Sequence, residues 1–145
     1  MRRTANENMG RFSVTVKVAN NRDVQLANAG VLPQDKVRRV TLSAIVDSGA
    51  AHLVLPETVV RQLGLPSAGK SWVRYADQRR KKRAVVEEAR VEVLGRQGTY
   101  RATVEPARET ALLGAIVLED LDFLVDCTTQ SLRPRDPNYI VTEIE

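Results

Sequence analysis

The chain has one cysteine, Cys127, and one histidine, His52, among 145 residues. A lone cysteine excludes an intramolecular disulfide and fits a reducing compartment, so a cytoplasmic location is expected. A lone histidine excludes paired-imidazole metal sites, and no P-loop or G-x-G-x-x-G occurs, so neither a metal nor another cofactor is expected. Aromatic residues make up only 4%, and none falls inside the one basic run. The run therefore lacks the stacking platform of single-strand binders, and no nucleic-acid partner is expected. After residue 56 the longest unbroken apolar run lies around Leu112–Leu118, glycine included. That is far short of the ~20 residues of a membrane helix, and Met1–Asn8 has no signal-peptide core. No membrane partner is expected.

What remains is the composition of one globular domain, 43% hydrophobic and 28% charged, long enough to bury a core. The net charge of +4 has a local origin. Arg79-Arg80-Lys81-Lys82-Arg83 supplies five basic residues, and without them 17 remain against 18 acidic ones. The run reads as a solvated hairpin tip, with a nucleic-acid or acidic-peptide patch as the alternative.

The stretch Thr41–Pro56, T-L-S-A-I-V-D-S-G-A-A-H-L-V-L-P, organises the rest. Its apolar flanks read as a strand, a sharp loop and a second strand, with Asp47-Ser48-Gly49 at the tip. A carboxylate between apolar strands is costly unless donors surround it, and its protonation is then open to tuning. Ser48 can donate a hydroxyl hydrogen bond, and Gly49 leaves room for backbone N–H groups to approach. This favours a rigidly held general acid or base.

Elsewhere, Phe12–Val18 alternates as a half-buried strand. Asn20–Asp23 reads as a turn, Val24–Leu26 as a short returning strand, Asn28–Asp35 as a loop, and Val37–Val46 as a strand. Pro56-Glu57 opens a helix with a Val59, Val60, Leu63 stripe and a Gly64 cap. Ser71–Ala76 and Ala84–Leu94 form a hairpin whose turn holds Asp77–Arg83, and Gly95–Gly98 is a second turn before a strand at Thr99–Glu105. A short helix spans Ala115–Leu121. Strands are expected at Phe123–Asp126 and, as a last core strand, Thr128–Arg133. Cys127 is expected as a buried small hydrophobe, His52 in a surface or packing role, and Asp120, Asp122 and Asp126 at solvated element ends. The whole is a mainly β, barrel-like domain.

Val46-Asp47-Ser48-Gly49-Ala50 resembles the signature of the retropepsin-like aspartic proteases. The order Leu53-Val54-Leu55-Pro56-Glu57, a helix to Leu63-Gly64-Leu65, and then Ala111-Leu112-Leu113-Gly114-Ala115 is similar to the single-domain prokaryotic members. The resemblance implies a closed barrel of short strands with one or two short helices over residues 12–134. Residues 1–11 would form a flexible N-terminus and 135–145 a tail open to dimer formation. It implies catalysis by Asp47, loop support from Ser48, Gly49 and Ala50, and backing from Leu112, Leu113 and Gly114. A flap would form around Tyr75, Ala76 and Asp77, although this hairpin tip lacks glycine.

Peptide hydrolysis by carboxylates needs two of them sharing a proton, and the sequence holds one D-[S/T]-G. The expected partners are therefore a second copy of the chain, each contributing Asp47, and a peptide or protein substrate. Two alternatives stay open: a catalytically silent peptide-binding or regulatory module of the same fold, and an unrelated β-barrel in which D-S-G is merely an exposed turn.

Overall fold

A computed structural model describes residues 11–145; the sequence expectations for residues 1–10 lie outside it. Nine strands and three short α-helices follow the apolar alternation. They are β1 (Arg11–Asn20), α1 (Asn21–Asn28), β2 (Arg39–Asp47), β3 (Leu53–Pro56), α2 (Glu57–Leu63), β4 (Ser67–Arg74) and β5 (Arg80–Val93). After these come β6 (Arg96–Glu105), β7 (Ala111–Leu113), α3 (Ala115–Asp120), β8 (Phe123–Asp126) and β9 (Ser131–Pro134). Six strands close a ring in the order β1-β2-β7-β3-β6-β5, sealed by β5 pairing back onto β1, and β4 extends β5 outward. The fold is thus mainly β and a closed barrel, with three helices where the sequence suggested one or two.

The inward residues of each strand fill the ring: Val16 and Val18 from β1, Ala44 and Val46 from β2, Leu53 and Leu55 from β3, Val91 and Val93 from β5. Full burial of each Val or Leu contributes roughly 1.5–3 kcal/mol. Leu63 of α2 and Val117 of α3 extend the same core. The long strand β5 can serve β4, β6 and β1 because it bends. Its register with β6 shifts between Val86 and Ala89, and Glu88 sits there at φ 66°, a bulge that re-aims the strand.

Several expectations are corrected. Residues 21–28 form a helix, not a turn and returning strand. The Asn20 side chain accepts from Asp23 N at 3.1 Å, an N-cap, while its amide donates to Leu63 O at 2.9 Å. The turn after β5 is only Leu94-Gly95, at φ 48° and 82°, so β6 starts at Arg96, opposite Val93. Primed geometry of this kind suits a two-residue hairpin. The last two strands pair only with each other and form a separate ribbon, although Leu132 is buried. Cys127 is half-buried in the turn between them. Asp122 is not a solvated helix end: it is 8% exposed and takes Arg135 Nε at 2.7 Å and Val141 N at 2.9 Å. Among the described residues no helix is long and apolar enough to cross a membrane.

Candidate active site

Asp47 is the last residue of β2, and the chain leaves it in a tight turn. Asp47 O accepts Ala50 N at 3.1 Å, and Oδ1 accepts Gly49 N at 3.0 Å. A β-carbon on Gly49 would stand 3.3 Å from that oxygen, so only a small residue leaves the carboxylate undisturbed. The other oxygen, Oδ2, lies 3.5 Å from Arg11 Nε, and the Asp47 side chain is 24% exposed. Arg11 reaches it because β1 and β2 pair Arg11 directly with Asp47. Asp47 is therefore held by one backbone donor, Gly49 N, with an exposed cation beside its other oxygen and one flank open to solvent. Ser48 and His52 are exposed.

The loop is locked from below. Strands β2 and β3 flank it without pairing to each other, and β7 runs between them. It is parallel to β2, with Ile45 opposite Leu112 and Val46 opposite Leu113, and antiparallel to β3, with Val54 opposite Leu112. Ala111, Leu112 and Leu113 are all buried. At Gly114 the loop lies on the backbone itself: a β-carbon there would come within 2.6 Å of His52 O and 2.8 Å of Ala50 O. Immediately after, Ala115 N donates to Ala50 O at 2.7 Å and Ile116 N to Ala51 O at 3.0 Å. The first N–H groups of α3, which have no partner within their own helix, thus clamp the far side of the loop.

The β4–β5 hairpin projects beyond the barrel. Its turn, Tyr75–Arg79, is tighter than the sequence suggested, and Arg80–Arg83 belong to β5. Gln78 takes the left-handed conformation at φ 72°, the position a glycine would normally fill. Asp77 holds the turn by accepting Arg79 N at 3.0 Å and pairing with Arg79 Nε at 2.6 Å; its carboxyl is lowered, chiefly by that backbone bond. From the start of the turn Tyr75 OH donates to Glu105 Oε1 at 2.7 Å, and Arg83 Nε reaches the same oxygen at 2.5 Å. Burial and the Glu105 bond raise the Tyr75 phenol. Among the described residues no hydrogen bond or ion pair joins Tyr75, Ala76 or Asp77 to the Asp47 loop. A cleft of about 120 Å³ lined by His52, Ser71, Val85, Arg101, Ala102 and Thr103 does join the loop end to the hairpin base.

Sequence reasoning missed Arg11 and Glu105. Neither lies near its partner in sequence, and only the β1–β2 and β5–β6 pairings bring them in. Among the described residues no group of three or more His, Cys, Asp and Glu side chains could hold a metal.

Residues 34–120 match the family described as gag-polyprotein putative aspartyl protease, more than half of the chain. The chain belongs to this family of retropepsin-like aspartic proteases. Its fold is similar to that of EIAV protease solved with the inhibitor HBY-793. Identity there is 17% and the TM-score 0.54, over 77% of this chain and 88% of that one. Simian foamy virus (mac) protease also matches, at 20% identity and TM-score 0.43, over 54% of this chain and 80% of that one. No curated protein matches the chain.

Proposed function

We propose that the protein is an aspartic endopeptidase in which two Asp47 carboxylates, one from each of two copies, share a proton and activate water. The observation that carries this reading is the seating of Asp47. In a family of aspartic proteases, its one D-S-G stands at a loop clamped by Gly114 and the start of α3. Two carboxylates a few ångströms apart cannot both ionise, so one accepts a proton from water while the other donates to the scissile carbonyl. Ser48 and Ala50 complete the loop, and the Ser48 hydroxyls brace the two loops across the axis. Tyr75, Ala76 and Asp77 form the flap over bound peptide. Residues 12–134 act as the catalytic domain, and the 135–145 tail contributes to the dimer contact through Tyr139, Val141 and Ile144, which are exposed.

Sedimentation of wild type and Asp47→Asn, with cleavage of an unfolded protein from acid to neutral pH, tests the reading. A dimer whose cleavage vanishes in the folded variant supports it, and a monomer at every concentration sinks it. A silent peptide-binding module is the second reading, favoured by Arg11, which sets a cation 3.5 Å from Asp47 where a dyad needs a shared proton. A dimer that never cleaves at any pH would select it.

A further inference from the structure

The basic run lacks an aromatic residue in sequence but acquires one by folding. Strands β4 and β5 pair so that Trp72 stands opposite Lys82 and Arg74 opposite Arg80. Residues two apart on a strand share a face, so Lys70, Trp72, Arg74, Arg80 and Lys82 lie together on one side of the hairpin. All five are exposed. The other side carries Tyr75 and Arg83, which are tied to Glu105 of the barrel, so the Trp72 face points away from it.

Trp72 is 66% exposed, and the Lys82 ammonium lies 5.4 Å from its ring centre. A shallow depression lined by Trp72, Val73, Arg74 and Arg80 adjoins the ring. Elsewhere on the hairpin Arg79 pairs with Asp77 and Arg83 with Glu105, and Lys81 lies on the opposite face, across from Val73. Lys70, Arg74, Arg80 and Lys82 form no ion pair among the described residues. An open indole among four unneutralised cations matches a flat base carried on a polyanion. Next-but-one residues along a strand stand about 7 Å apart, which sets cations on both sides of the ring. Carboxylates alone would satisfy the cations but leave the exposed part of the indole unused.

We propose that this outer face of the β4–β5 hairpin binds single-stranded nucleic acid, one base stacking on Trp72 and the flanking phosphates meeting Lys70, Arg74, Arg80 and Lys82. The surface is distinct from the Asp47 loop and lies on the hairpin face opposite Tyr75 and Arg83.

Trp72 is the one tryptophan of the chain, so its fluorescence reports the site directly. Titrating the full chain with an oligodeoxythymidylate of roughly ten nucleotides should quench it saturably. The logarithm of the binding constant should fall linearly with that of salt, with a slope near −3 for four phosphates. Followed by anisotropy of a labelled oligonucleotide, Trp72→Ala should weaken binding roughly 5- to 100-fold with little change in slope, and Trp72→Phe should restore much of it. Arg80→Ala with Lys82→Ala should reduce the slope by about 0.7 per cation. No binding at low salt would overturn the proposal. So would affinity indifferent to Trp72→Ala, or polyglutamate that binds as tightly as the oligonucleotide and displaces it.

Discussion

A single methyl group at residue 114 measures how closely the Asp47 loop is seated. The nearest atoms are backbone atoms of residues 50–52, which cannot swing aside as a side chain would. Gly114→Ala should therefore lower stability by about 1–3 kcal/mol, seen as a lower urea midpoint, and depress cleavage by displacing the loop. An unchanged midpoint and rate would show that the loop yields without consequence. Four carboxylates, Asp23, Asp77, Asp122 and Asp126, are held below their ordinary value, and of these Asp23 and Asp122 are the buried ones. Asp23 is held below its ordinary 3.8 chiefly by the Arg38 side chain, and Asp122 chiefly by the Val141 N–H. A lowered folded value means the charged form is favoured in the fold. That stabilisation is fully present above the ordinary carboxylate value and is lost as pH falls through the lower, folded one. The urea midpoint should thus decline as pH drops below about 4, and Asp23→Asn with Asp122→Asn should flatten that decline while lowering the midpoint at neutral pH. A variant keeping the wild-type acid slope would assign the response to other groups. Asp47 was legible because D-S-G is a local pattern. The buried role of Asp122 was not, because Arg135 and Val141 reach it only through the folded-back chain.

Among the elements, the hairpin shows how a turn can be built without glycine. Gln78 occupies φ 72°, a conformation costing an L-residue roughly 1–2 kcal/mol, offset by the Asp77 and Arg79 contacts. Gln78→Gly should relieve that strain and slow amide exchange across residues 75–79; faster exchange would show that chain entropy outweighs the strain. Tyr75→Phe removes the hydroxyl shared with Glu105 and Arg83. It should speed exchange across the turn at residues 75–79 with little effect on the global midpoint, and raise KM if the hairpin closes over peptide. The strands were readable because alternation is a one-dimensional signal, and α2 because Glu57 and Gly64 mark its ends. The first helix, α1, was read as a turn because Asn-Asn-Arg-Asp has turn composition. Its N-cap at Asn20 is local, but the bond from the Asn20 amide to Leu63 O and the Asp23–Arg38 pair depend on residues further along the chain.

For the whole molecule, the dyad proposed above makes a stoichiometric prediction. Mixing equal amounts of wild type and Asp47→Asn, with subunits free to exchange, should leave about a quarter of the dimers with both aspartates. Activity per wild-type chain should fall by about half on mixing; activity that stays proportional to wild-type chain would argue that each copy works alone. Tail residues 135–145 fold back in this chain, with Arg135 bound to Asp122 and Glu143. Truncation after Pro134 should therefore lower stability, read as the urea midpoint; if the tail makes the proposed dimer contact, sedimentation should separately show weaker self-association. The position of β7 has a last consequence, in time rather than space. The strand that seats the Asp47 loop is recruited from far along the chain, pairing Ala44 with Ala111, and such distant closures are made late in folding. During synthesis the emerging polypeptide must extend past Gly114 before its Asp47 turn can be clamped, so that carboxylate is made well before the segment that seats it.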